Sequence, residues 1–196
     1  YFHKDIINFI KNKKIFFKIL IASLPVMMFG FFLVKTNLIE KLRTIEVIGW
    51  MTLLFGILLY ISDKYELKKK IDTDFNYKSA IFIGFFQILS LVPGVSRSGI
   101  SITAARFLKF KRFDSAKISF LLSIPTLGAV SLFGLKNLLT NEDINISILN
   151  LISIFLSYIF SLITINYFLK YIKKFSLNIF IIYRVLLGLI LLLINY

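Results

Sequence analysis

Five runs of apolar residues, at roughly 15–34, 45–62, 117–135, 146–170 and 178–195, are each long enough to cross the ~30 Å hydrocarbon core of a bilayer. No water reaches that core, so a crossing segment must satisfy its own backbone hydrogen bonds, as a helix or within a closed barrel. These runs are continuously apolar rather than alternating, which selects helices. The chain is therefore expected to be an all-α polytopic membrane protein, a single integral membrane domain over 1–196. Its composition agrees: of 196 residues, 58% are hydrophobic and 17% charged, against about 45–50% and about 25% in soluble domains. A soluble globule and a disordered chain are both excluded. Without cysteine there is no disulfide framework, thiol nucleophile or thiolate metal site.

The charge balance is basic, with 24 Lys+Arg against 10 Asp+Glu and a formal net charge of +14. The cations sit between the apolar runs. One side collects Lys4, Lys11, Lys13 and Lys14, then Lys64, Lys68, Lys69, Lys70 and Lys78. It continues with Lys109, Lys111 and Arg112, and ends with Lys170, Lys173 and Lys174. The other side carries Lys35, Lys41, Arg43 and Lys136. By the positive-inside rule the richer side is cytoplasmic. Cations that follow the bilayer edge do not form an aromatic-interleaved patch, so nucleic-acid binding is not expected. Asp63–Tyr77 reads as a charged cytoplasmic loop, and Lys18 as a cation snorkelling from the first span. Pro25 and Pro125 read as kinks. The stripe Asn150, Ser153, Ser157, Ser161 and Thr164 reads as a helix-packing face. The chain opens Tyr1-Phe2-His3-Lys4-Asp5, without Met or a signal-peptide pattern, and is expected to begin upstream of Tyr1.

Residues of about 80–109 break the pattern. Two apolar pieces, Ala80–Val92 and Ile100–Leu108, are too short to span and are split by Pro93-Gly94-Val95-Ser96-Arg97-Ser98-Gly99. The topology closes if this segment enters and leaves on the same side, as a re-entrant helix pair lining a cavity. Ser96, Arg97, Ser98 and Gly99 then fall around the N-terminus of the second half-helix, where free N–H groups and the helix dipole favour an anion. Arg97 adds a guanidinium fork suited to phosphate. A buried Arg costs about 2.5–3.5 kcal/mol on insertion scales; a structural cation on backbone carbonyls is the alternative to a ligand-binding one. Ser101 is placed to turn its hydroxyl to the same spot. Gln87 is expected to bond the loop or the ligand, or to join helices. Arg184, beside Tyr183, is a second phosphate contact, a snorkelling cation or a cation paired with backbone carbonyls. His3, the only imidazole, is not expected to act. The carboxylates Asp63, Asp72, Asp74, Glu40, Glu46, Glu66, Glu142 and Asp143 fall in loops or at span edges, leaving no evident base beside the 93–99 loop.

The run Gln87-Ile88-Leu89-Ser90-Leu91-Val92-Pro93-Gly94-Val95-Ser96-Arg97-Ser98-Gly99 resembles the bacterial undecaprenyl-diphosphatase family, the bacitracin-resistance proteins. The likeness continues through Ser119-Phe120-Leu121-Leu122-Ser123-Ile124-Pro125 and Ile182-Tyr183-Arg184, in order. It implies an inner-membrane enzyme with six spanning helices and two re-entrant pairs in an inverted repeat, whose active site opens to the periplasm where the two tips meet. The loop here matches the second tip. Ser96, Arg97 and Ser98 take its catalytic phosphate-contacting role, with Ser101 where the family usually has Thr, and Gly94, Gly99, Gln87 and Arg184 around the substrate. The first tip, with an acidic pair and a Ser-Ser-Thr-Gly-His run, is expected upstream of Tyr1, and without it the chain is expected to be inactive.

The expected reaction is removal of the terminal phosphate of undecaprenyl diphosphate, which recycles the carrier for peptidoglycan synthesis and confers bacitracin resistance. Partners are the polyprenyl diphosphate and membrane lipids, with a homodimer left open. Mg²⁺ or Ca²⁺ is an expected cofactor whose ligands lie upstream, with no metal ligand among the residues here. The competing reading is a lipid-phosphate transporter or flippase, since broken helices with an anion at their tips serve transport as well.

Overall fold

The computed structural model describes residues 13–36, 38–140 and 148–195. Its described residues form helices α1 (Lys13–Lys35), α2 (Leu38–Lys41), α3 (Ile45–Asp63), α4 (Ile71–Asp74), α5 (Tyr77–Ile88), α6 (Arg97–Phe107), α7 (Arg112–Thr140), α8 (Ile148–Lys174) and α9 (Asn178–Asn195). Five of them, α1, α3, α7, α8 and α9, are long and apolar enough to cross a membrane. The all-α polytopic architecture expected from the sequence is the one observed. The anomalous segment is a pair of short helices. α5 tightens into a 3-10 turn over Leu89–Leu91 and a seven-residue motif, Pro93 to Gly99, leads into α6. His3, Glu142 and Asp143 lie outside the described residues.

Local chemistry sets the helix starts. Thr44 caps α3 by accepting from the Val47 N–H at 3.3 Å, and Asn76 caps α5 by accepting from Ser79 at 2.8 Å. Pro25 and Pro125 lie inside α1 and α7, which remain continuous through them. α6 is enclosed by α5, α7 and α3, while α3 packs along α9 and α1 packs along α5. Two apolar clusters result. One joins Ile19 and Ala22 of α1, Ile83 of α5, Ala104 of α6, and Leu121 and Leu122 of α7. The other joins Leu59, Ile102, Ala116, Leu169, Ile172 and Ile181 from five helices.

The segment expected to be a plain charged loop is anchored instead. Asp63 ends α3 and is 7% exposed. It accepts both forks of Arg112 (2.8 and 3.0 Å) and the Leu177 N–H (3.3 Å), and lies 3.4 Å from Arg106 Nε. Arg106, wholly buried, also donates to the carbonyls of Asp63, Tyr65 and Phe110. Beyond it, Ile71 and Phe75 enter the first cluster, so apolar residues inside the loop tie it down. Asp74 accepts from the Lys70 N–H and the Thr73 hydroxyl, and these bonds hold its carboxyl below the usual carboxylate range. Lys18 donates to the Phe75 carbonyl from 57 residues away rather than reaching outward alone.

On helix α8, Ser153, Ser157, Ser161 and Thr164 of the expected stripe line a shallow open groove with Leu156, Phe160 and Ile165.

Candidate active site

The tip between α5 and α6 is built from the break outward. Gly94 has φ +91, a conformation side chains rarely adopt, and a Cβ there would run into the Ile48 carbonyl of α3. That close approach lets the Thr52 hydroxyl of α3 donate to the Gly94 carbonyl at 3.3 Å. From α9, Arg184 Nη2 donates to the carbonyls of Gly94 (2.9 Å) and Val95 (2.8 Å). Val95 is fully buried. The tip is thus held through its main chain by two spanning helices.

Ser96 is the N-cap of α6. Its Oγ accepts from the Gly99 N–H at 3.2 Å, the geometry that starts the helix at Arg97. The first-turn N–H groups of Arg97 and Ser98 have no carbonyl within the helix to receive them. The Ser96 and Ser98 hydroxyls are 3.5 Å apart and exposed. They border a cavity of about 330 Å³ together with Gly94, Gly99, Thr52, Tyr183 and Arg184. The remaining walls, Leu59, Ile102, Phe168, Leu177, Phe180 and Leu187, are apolar. One cavity therefore has a hydroxyl and guanidinium end and a hydrocarbon end, and its lining contains no carboxylate.

The two arginines reach this helix start from different sides. Arg184 is 9% exposed, and its Nη1 has no hydrogen-bond partner among the described residues. That nitrogen lies against Gly99, where an added Cβ would come within 2.6 Å of it. Of the three readings the sequence left for Arg184, carbonyl pairing is observed and snorkelling is not: the side chain turns inward to the tip. Arg97 is half-buried and leans toward α7, where Nη1 donates to Thr126 Oγ1 at 2.9 Å. The Ser119 hydroxyl of α7 adds a contact to the Ser98 carbonyl at 3.4 Å.

Two predicted residues are not among the described residues lining the cavity. Ser101 is 1% exposed, and its hydroxyl donates to the Arg97 carbonyl one turn back at 3.0 Å, so it does not face the cavity. The short side chain competes for its own helix's carbonyl, as serine does in buried helices. Gln87 is 1% exposed, and neither amide atom has a partner among the described residues. It follows Ile83 by one turn on the buried face of α5 and touches neither loop nor neighbouring helix through a hydrogen bond. An unpaired buried amide costs about 1–3 kcal/mol, which marks the position as wanting a partner.

Sequence reasoning passed over Thr52, Thr126 and the Asp63–Arg106–Arg112 cluster. Arg106 did carry a signal, being an ionisable residue inside the apolar piece Ile100–Leu108. The two threonines carried none, because a Thr inside a span reads first as a packing residue. Among the described residues no group of three His, Asp or Glu side chains is placed to hold a metal ion. Among the described residues the tip offers anion donors rather than a ligand set for Mg²⁺ or Ca²⁺.

With this geometry in place, the comparisons with known proteins are direct. The profile of the family described as bacitracin resistance protein BacA matches residues 1–190. An undecaprenyl-diphosphatase of Pelagibacter ubique is 46% identical over 197 residues, covering all of this chain and 77% of that protein. Proteins of the same name from Jannaschia sp. and Saccharophagus degradans are each 39% identical. They cover 93% and 96% of this chain and 68% and 75% of their own lengths.

Proposed function

The chain belongs to the bacitracin resistance protein BacA family, and from that premise we propose that it hydrolyses undecaprenyl diphosphate to undecaprenyl phosphate and inorganic phosphate. The observation that carries the reading is the amphiphilic cavity at the α6 N-terminus. There a buried guanidinium, Arg184, whose Nη1 has no partner among the described residues, faces a helix start bearing two hydroxyls, and the Arg97 guanidinium of the same helix start is turned to α7. A diphosphate attached to an isoprenoid needs such a place: donors for the head, and an apolar wall that continues into lipid. The relatives' names support hydrolysis, and the transporter reading draws no support from them.

In the reaction a water oxygen bonds to the terminal phosphorus while the bridging P–O bond breaks; the lipid monophosphate leaves with the bridging oxygen, and the proton the water gives up is carried by the phosphate products or passes to solvent. Negative charge spreads over the transferred phosphoryl group. Arg97 neutralises it, assisted by the first-turn N–H groups and the Ser96 and Ser98 hydroxyls, in a site drier than bulk water. Arg184 holds the head and, through the Gly94 and Val95 carbonyls, the tip itself. The same reading puts the protein in the bacterial inner membrane with the site open to the periplasm. There it recycles the lipid carrier for peptidoglycan and confers bacitracin resistance.

Phosphate release from undecaprenyl diphosphate by the full-length protein, upstream segment included, in liposomes tests it. Arg97→Ala is expected to lower turnover by about 10³-fold or more, the scale of a transition-state arginine. Arg97→Lys is expected to fall as well, since an ammonium lacks the fork. Wild-type turnover in Arg97→Ala would remove the proposed role.

A further inference from the structure

Thr126 sits one residue past Pro125 in α7, 5% exposed, with its hydroxyl on Arg97. A hydroxyl has a single proton, and here the acceptors for it are on its own helix: the Leu122 carbonyl at 2.9 Å and the Ser123 carbonyl at 3.2 Å. With the proton directed there, the oxygen's lone pairs face Arg97, which can only donate. The direction of the chain Arg97 to Thr126 to Leu122 is therefore fixed by chemistry. Arg97 has five N–H donors in a rigid plane, and one of them is spent on Thr126. Holding one corner of a planar fork sets the orientation of the rest.

We propose that Thr126 is a positioning residue that fixes the Arg97 guanidinium for the transferred phosphoryl group. The proposal rests on the reading of Arg97 given above. Flexible arginines lose side-chain freedom when they engage a ligand; an arginine already tethered at one corner has lost part of it beforehand, and pre-orientation of this kind appears in the chemical step. Neither Thr126 nor Arg97 is among the described residues lining the cavity with Ser96, Ser98 and Arg184, and Thr126 meets the tip through its bond to Arg97.

Kinetics of phosphate release with Thr126→Val, Thr126→Ser and Arg97→Lys test the idea, with thermal unfolding as the control for folding. Valine keeps the shape and removes the acceptor. Thr126→Val is expected to lower kcat about ten- to hundredfold, the worth of one hydrogen bond to a charged group, while KM stays within about twofold. Thr126→Ser is expected to restore most of kcat. In an Arg97→Lys background Thr126→Val should cost clearly less than in the wild type, because the pair then shares one lost interaction. Full kcat in a folded Thr126→Val protein, or an equal loss in both backgrounds, would overturn the inference while leaving Arg97 in its role. Should Thr126→Val fail to fold, a folded Thr126→Ser protein with valine-sized loss of kcat overturns it too. Wild-type turnover in Arg97→Ala would overturn both readings together.

Discussion

Ser96 concentrates the demands of the tip in a single residue. Its φ of 70 lies where non-glycine residues are uncommon, a position that costs on the order of 1–3 kcal/mol. The cap bond from its Oγ to the Gly99 N–H offsets part of that cost. The two contributions separate by substitution. Ser96→Ala keeps the strained backbone and loses the cap, so it is expected to unfold earlier, by about 0.5–2 kcal/mol. Ser96→Gly loses the cap but relieves the backbone, and should be the more stable of the pair. Both remove a cavity hydroxyl and should release phosphate more slowly, which thermal unfolding and the turnover assay read independently. At this scale the motif itself was legible: Pro-Gly followed by Ser-Arg-Ser announces a break and a helix start rich in anion donors. Side-chain direction was not. Sequence spacing puts Ser101 one turn from Arg97, but whether its hydroxyl turns to a ligand or back to a carbonyl is decided by burial around it. Nor does anything in Pro125-Thr126 reveal that the threonine meets an arginine 29 residues earlier.

Helices α3 and α9 form the element pair on which the tip depends. They approach so closely that a Cβ at Gly188 would stand 2.8 Å from the Leu53 Cβ and 2.9 Å from its nitrogen. Small residues permit this in lipid, where close packing replaces the hydrophobic drive. Arg184 lies one turn earlier on α9, and its grip on Gly94 and Val95 requires that spacing. Gly188→Leu is expected to push α9 away and to reproduce the activity loss of Arg184→Ala even though residue 188 is outside the cavity. Near-normal phosphate release by a folded Gly188→Leu protein would show that the helix spacing is not needed. The long helices were legible because a span is a length of uninterrupted apolar residues, and their observed limits differ from the expected ones by a few residues at charged ends. The four-residue α4 was not, since one turn is too short to show a period and is stabilised by Ile71 and Asp114 contacts made at a distance.

Across the whole molecule, the end opposite the tip is closed by charge. Asp63 gathers Arg112, Arg106 and the Leu177 N–H, joining α3, α6, α7 and the turn into α9. Removing one member of a buried ion pair leaves an uncompensated charge and typically costs about 3–5 kcal/mol. Asp63→Ala should therefore lower the unfolding temperature sharply and reduce folded yield. Arg112→Lys, at a partly exposed position, should be milder. Equal unfolding temperatures for Asp63→Ala and wild type would show that the cluster carries no stability. The charge distribution behind the expected orientation was readable from where the cations fall between the apolar runs. That one of those edge carboxylates is buried and shared by two arginines was not, because it depends on segments 43 to 114 residues apart meeting at one point.

The grips on the tip from α3 and α9 close on carbonyl oxygens at 94 and 95, which every amino acid supplies. Exchanging the Val95 side chain leaves these carbonyls in place, whereas any Cβ at residue 94 meets the Ile48 carbonyl. Sensitivity to mutation is thereby transferred to Thr52 and Arg184, distant in sequence from the loop they restrain. A receptor fastened in this manner is already assembled when the lipid head arrives. Association then requires little ordering of the protein, and its rate should respond to the bilayer's viscosity more than to changes within the loop.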